Sequence, residues 1–115
     1  MEKEFIPYKI ALALKELGFD EPCIRGWDKN KKIWYHPDTD IVLDNPTFSQ
    51  VFRFFRDKHN LDSWIYCSDE SKGYFAIILK RKRFVSYHEN FDTYEEAELA
   101  CLNKLIEIVK NGNKS

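Results

Sequence analysis

"GYFAIILKRKRFVSYHENFDTYEEAELA" (residues 73–100) contains a strand, a basic run, a second strand and the start of a helix. Tyr74–Leu79 is unbroken in apolar and aromatic residues, the pattern of a central strand covered on both faces. Four cations follow, Lys80, Arg81, Lys82 and Arg83, and Phe84–Tyr87 reads as the next strand. Thr93 and Glu96 then have capping-box spacing, and Glu95, Glu96 and Glu98 complement the positive end of a helix dipole. The spacing predicts a buried face of Ala97, Ala100, Cys101, Leu105 and Ile108, widened by Leu102 and Val109, before a frayed tail over residues 110–115.

Working upstream, "SWIYCS" (Ser63–Ser68) is a strand joined to the Gly73–Lys80 strand by the polar hairpin loop "DESK". "NPTFSQVFRFFRDKH" is a helix with a Thr47/Gln50 capping box, although Asn45 competes as cap. Phe48, Val51, Phe52 and Phe55 form its buried stripe, and Phe54 falls off that stripe. Nearer the N-terminus, Ile6, Ile10, Ala13, Leu14 and Leu17 predict an amphipathic helix over Pro7–Leu17, closed by Gly18. "CIRGWDKNKKIWYHP" reads as a hairpin of Cys23–Trp27 and Ile33–His36, and Ile41–Leu43 as a further short strand. The order α-β-β-(β)-α-β-β-β-α lacks the alternation of a parallel doubly wound sheet. It predicts an α+β fold, a central antiparallel β-sheet with two or three packed helices.

At 115 residues, with no linker, repeat or low-complexity run, the chain is expected to form a single domain, residues 1–115. Hydrophobic residues make up 43%, charged residues 32% and aromatic residues 16%. A net charge of −1 gives no global attraction to nucleic acid or membrane, so any such affinity is local. No stretch approaches the ~20 apolar residues of a membrane span. Glu2, Glu4 and Glu16 interrupt the N-terminal stretch, unlike a secretory leader. Cys23, Cys67 and Cys101 are odd in number, far apart and set among apolar residues, which reads as buried thiols in a reducing cytoplasm.

Signals for catalysis are absent. The four glycines are isolated, so no phosphate-cradling loop exists, and no serine or cysteine lies in a nucleophile signature. "HPDTD" (His36–Asp40) is too short for a calcium loop and reads as a solvated turn. His59 suits a helix C-terminus. No cofactor, metal or catalytic residue is expected, and the reading is a non-catalytic binding module.

A protein partner, or self-association, is the first expectation, and nucleic acid is the runner-up. Trp34 and Tyr35 are strand neighbours on opposite faces, so one of them is exposed or a helix covers the second face. Trp27, Trp34, Tyr35 and Phe54 are candidate anchors for a protein partner or for a homo-oligomer. Nucleic acid would be engaged through Arg53, Arg56, Lys80, Arg81, Lys82 and Arg83. From Arg53 to Arg83 eight cations face four acids, a local +4 that leaves −5 for the remainder. The same cations also serve to keep a sheet edge soluble.

Trp64–Ile108 resembles the three-strand-plus-helix module of AP2-type and phage-integrase arm-type DNA-binding domains, through a strand, a turn and "FDTYEEAELACLNKLI". That resemblance implies contacts from Lys80, Arg81 and Arg83, with Trp64 or Tyr74 near the sheet surface. "HEN" stands where those domains carry glycine before the turn, and "SWIYCS" replaces their arginine-rich first strand. Across its whole length the chain resembles small uncharacterised proteins of bacteriophages and mobile elements of gut bacteria, on "FIPYKIALALKELGFDEPC", "PTFSQVFRFFRDKHNL" and "TYEEAELACLNKLIEIVKN". This second resemblance implies a stand-alone accessory protein of a bacterial cytoplasm that acts by binding.

Overall fold

The computed structural model describes residues 4–67 and 73–112; Ser68 and the expected "DESK" loop lie outside them. The fold is α+β, in the order α1 (Tyr8–Glu16), β1 (Arg25–Trp27), β2 (Ile33–Tyr35), β3 (Leu43–Asn45), α2 (Phe48–His59), β4 (Leu61–Cys67), β5 (Tyr74–Lys80), β6 (Arg83–Phe91) and α3 (Tyr94–Gly112). Element order follows the sequence expectation. The strands divide between two three-stranded antiparallel sheets, ordered β2-β1-β3 and β4-β5-β6. The chain groups into two compact units, Met1–Val51 and Phe52–Ser115.

In the first unit, Pro7 is the N-cap of α1 in extended conformation. The other end closes at Gly18 (φ +91°), where the Phe19 N–H donates to the Leu14 carbonyl at 3.0 Å and the Gly18 N–H to that of Lys15 at 3.1 Å. This is the Schellman pattern, which needs a left-handed residue at that position. The β1–β2 turn is organised by Asp28. Its Oδ1 accepts the Asn30 and Lys32 N–H groups at 2.8 and 2.9 Å, and its Oδ2 accepts the Trp34 indole N–H at 2.8 Å. These bonds, the indole's first, hold the Asp28 carboxyl below its ordinary value.

The third strand lies two residues beyond the expected Ile41–Leu43. Asn45 is not a helix cap but a buried strand residue: its Oδ1 accepts the Arg25 Nε–H at 2.8 Å and its Nδ2 donates to the Ile6 carbonyl at 2.9 Å. The buried Arg25 guanidinium also lies 3.7 Å from the centre of the Phe5 ring. The Thr47/Gln50 capping box forms as read: the Gln50 N–H donates to Thr47 Oγ1 at 3.2 Å and the Thr47 N–H to Gln50 Oε1 at 3.0 Å.

In the second unit, α3 packs on one face of the β4-β5-β6 sheet, burying Ala97, Cys101, Leu102, Leu105, Ile106 and Val109 against strand residues that include Ala76 and Ile78. Ala100 and Ile108, expected in that face, are half-buried. The Glu96 N–H donates to Thr93 Oγ1 at 3.1 Å, while the Glu96 carboxylate accepts the Asp92 N–H at 3.3 Å, one residue earlier than in the usual box. The helix runs on to Gly112, so residues 110–112 of the expected frayed tail are helical, and residues 113–115 lie outside the described residues.

Two expectations about burial are corrected here. Phe54 is 4% exposed, because its ring packs edge-on against Phe55 at 5.3 Å and against His59 at 5.3 Å. Cys67, at the end of β4, is exposed, whereas Cys23 and Cys101 are buried.

Glu98, on α3, is the one carboxyl among the described residues with a strongly raised pKa. Partial burial, then neighbouring Glu95, push it up to about 7. Ionising it is disfavoured in the fold, so the penalty is absent below the unfolded value near 4.5 and complete above about 7. Replacing Glu98 by glutamine is therefore expected to raise stability at pH 8 by about 1–2 kcal/mol, a figure discounted for solvent screening. The gain should vanish near pH 4.5, as read from thermal melts across that range.

Candidate nucleic-acid interface

The face of β4-β5-β6 opposite α3 follows from strand alternation and register. Asp62, Leu79 and Phe84 share one row, Trp64, Ile77 and Tyr87 the next, and Tyr66 and Phe75 a third. Register shifts at Val85 and near Asn90 add residues to β6 relative to β5. The expectation that β5 is covered on both faces is corrected: Ala76 and Ile78 are buried, but Phe75, Ile77 and Leu79 are only half-buried. No helix is needed on that side, because neighbouring strand side chains supply the partial cover.

Four rings on this face form a continuous path. Tyr66 and Phe75 have centroids 4.9 Å apart, Phe75 and Tyr87 5.5 Å, and Phe84 and Tyr87 6.4 Å. Phe84 is 62% exposed, and Trp64, Tyr66 and Tyr87 are each 44% exposed. Tyr74 points the other way, toward α3, where it meets the Tyr94 ring edge-on at 6.0 Å.

The path ends at the basic run. Lys80 and Arg83 pair across β5 and β6, and Arg81 and Lys82 form the two-residue turn between them, with φ of 51° and 70°. Two left-handed residues give the primed turn whose twist suits a hairpin, a position that usually selects Asn-Gly. The Arg81 N–H donates to the carbonyl of Asn60 at 3.3 Å, which joins this turn to the end of α2. Arg56, Lys58 and His59 occupy the last turn of α2, with Arg53 one turn earlier. The structure thus gathers Arg56, Lys58 and Lys80–Arg83 at one end of the unit. Burial, then the Lys80 charge, hold the His59 imidazole below its ordinary pKa. A shallow cavity of about 190 Å³ lies at the same end, lined by His59, Leu61, Lys80 and the last turn of α3. The cations of α2 also complement the negative end of its dipole.

The anchors named from the sequence are distributed differently. Trp27 is buried, its ring edge-on to Tyr8 at 5.0 Å, and Phe54 is buried as described, so neither is an exposed anchor. Trp34 is half-buried and tied to Asp28, with the Lys32 ammonium 4.9 Å from its ring centre. Tyr35 alone of the four is well exposed, at 57%. Sequence reasoning passed over Phe75, Phe84 and Tyr87 and did not single out Tyr66 as surface. Tyr66 shares strand alternation with Trp64, but Phe75 joins that face only through the β4–β5 register, and Phe84 and Tyr87, three residues apart, only through the shift at Val85.

Other chemistry is sparse. Among the described residues no three His, Cys, Asp or Glu side chains are grouped to hold a metal ion. His36 Nε2 and Asp44 Oδ1 form an exposed pair at 2.8 Å. Burial first pushes the Cys23 thiol up to about 12 and that of Cys101 up to about 11, which suppresses the thiolate. A groove of about 220 Å³ between α1 and β3 is lined by Leu14, Lys15, Asp20 and Asp44 among others, with the Lys15 ammonium donating to the Val42 carbonyl at 3.3 Å. Among the described residues no helix is long and apolar enough to cross a membrane.

Comparison with family models, with curated proteins and with solved structures returned no match. The site's chemistry therefore rests on its own geometry.

Proposed function

We propose that the unit Phe52–Ser115 is a nucleic-acid-binding module of a non-catalytic accessory protein. One observation carries this reading: the exposed ring path Tyr66–Phe75–Tyr87–Phe84 runs directly into the basic turn Lys80–Arg83. Rings offer stacking surfaces for bases and cations neutralise phosphates, and together they make the usual platform for this ligand. A protein partner or self-association is the competing reading. It is supported by the exposed apolar Val85 and Phe84 on β6, and weakened by the burial of Trp27 and Phe54.

The test is fluorescence anisotropy with random single-stranded and duplex oligonucleotides at 50 and 200 mM salt. Wild type is compared with the variant Lys80→Gln, Arg81→Asn, Lys82→Gly, Arg83→Gln. Asn-Gly suits the primed turn, so this variant is expected to fold with a gain of about 1 kcal/mol at the turn. If Arg81 and Lys82 at the tip each meet a phosphate of a single strand, wild-type affinity falls about sevenfold between the two salts. The variant should bind more than about tenfold more weakly at 50 mM and lose most of that salt dependence. Absence of binding at 50 mM would overturn the proposal, and sedimentation showing a dimer would then support self-association.

A further inference from the structure

We infer that the ligand of this face is a single strand, with its bases laid on the sheet and its phosphates turned outward, rather than a duplex. The inference deepens the proposed function and rests on it.

Three features of the face point this way. First, successive rows along a strand are about 6.6–6.8 Å apart, two residues of β-structure. Bases within one strand of a duplex are spaced about 3.4 Å along the axis and cover one another. Bases can occupy successive rows only when they are unstacked from each other, a state open to a single strand.

Second, the face itself carries no positive charge. The paired rows opposite α3, Asp62/Leu79/Phe84, Trp64/Ile77/Tyr87 and Tyr66/Phe75, hold no cation, and Asp62 is the charged residue within them. A duplex presents phosphates on its outer surface and is read by basic and amide side chains entering a groove. A carboxylate among apolar rings opposes that mode. It is compatible with bases facing the sheet, since an exposed base edge includes donors.

Third, the cations stand at the end of the face and not across it. Register puts Lys80 and Arg83 on the side of the sheet that faces α3 and leaves Arg81 and Lys82 at the tip, next to Phe84. Cations there would meet the backbone of a strand where it leaves the rings. The ligand chemistry shared by both sources is an unpaired DNA or RNA strand.

The experiment uses the full chain and dye-labelled oligonucleotides of one mixed sequence as single-stranded DNA, single-stranded RNA and DNA duplex. The variants are Trp64→Leu and Tyr87→Leu, which keep an apolar side chain and remove the stacking ring. Single strands should bind at least about tenfold more tightly than duplex, and each ring variant should weaken them about tenfold with an unchanged thermal melt. The basic-turn variant should weaken single strands and duplex alike. Equal binding of duplex and single strand, lost only in the basic-turn variant, would overturn this inference and leave the proposed function standing. Ring variants that melt normally and bind normally would overturn it too. No binding of any probe would sink both readings. A DNA or RNA preference among the single strands would support the inference and name its source.

Discussion

Replacing Asn45 by leucine is expected to destabilise the fold by about 3–5 kcal/mol, despite the similar size of the two side chains. Asn45 is fully buried and serves two partners, accepting from Arg25 Nε–H at 2.8 Å and donating to the Ile6 carbonyl at 2.9 Å. Leucine removes an acceptor from a guanidinium that is 3% exposed, and a donor from a backbone carbonyl beside it. The cost is that of a buried charge deprived of a hydrogen bond, which exceeds the small gain in apolar burial. Asn45→Asp should fall between wild type and leucine, since a carboxylate still receives Arg25 but no longer donates to Ile6. Urea denaturation gives the ordering. A loss below about 1 kcal/mol for leucine would mean that the Arg25–Asn45 bond contributes little in solution.

Gly26→Ala is the second large effect, at about 3 kcal/mol or more. Gly26 lies at the centre of β1, opposite Trp34 on β2 and Asp44 on β3. A Cβ added there would lie 2.5 Å from Ile41 Cγ2, 2.5 Å from the Leu43 carbonyl oxygen and 3.2 Å from the Asp44 Cα. Ile41 can turn aside, but the Leu43 oxygen and Asp44 Cα belong to the backbone of the paired strand. Strand β3 has to move away, and its pairing with β1 weakens. Hydrogen exchange should show β3 amides losing protection before those of α3. An alanine variant that melts within about 1 kcal/mol of wild type would show that β1 and β3 do not approach this closely.

The first substitution acts on a feature that local sequence rules misassign. "DNPT" reads as a helix start with Asn45 competing as cap, because asparagine before proline usually ends an extended segment and begins a helix. Its actual bonds reach residues 20 and 39 positions away. Phe54 is off the helical stripe of Phe48, Val51 and Phe55, yet it is buried, because it packs against Phe55 and His59 and not along that stripe alone. The run "KRKR" was legible as charge but not as a turn. Neither arginine nor lysine advertises a left-handed backbone, and Arg81 and Lys82 both adopt one.

The candidate site was half legible for the same reason. Its cations are adjacent in sequence and announce themselves. Its rings come from three strands, and Trp64, Tyr66, Phe75, Phe84 and Tyr87 share a face only after register and the shift at Val85 are known.

The amino-acid sequence by itself determined the α+β class, the element order, the Gly18 helix stop and the capping boxes of α2 and α3. These rest on hydrogen bonds spanning three to five residues and on periodicity within one element. Tertiary structure decided that the strands form two sheets, that Trp27, Asn45 and Phe54 are buried, and that an aromatic face lies open opposite α3. Those outcomes depend on which distant segments meet, and a side chain's exposure is set by what packs against it, not by its own chemistry.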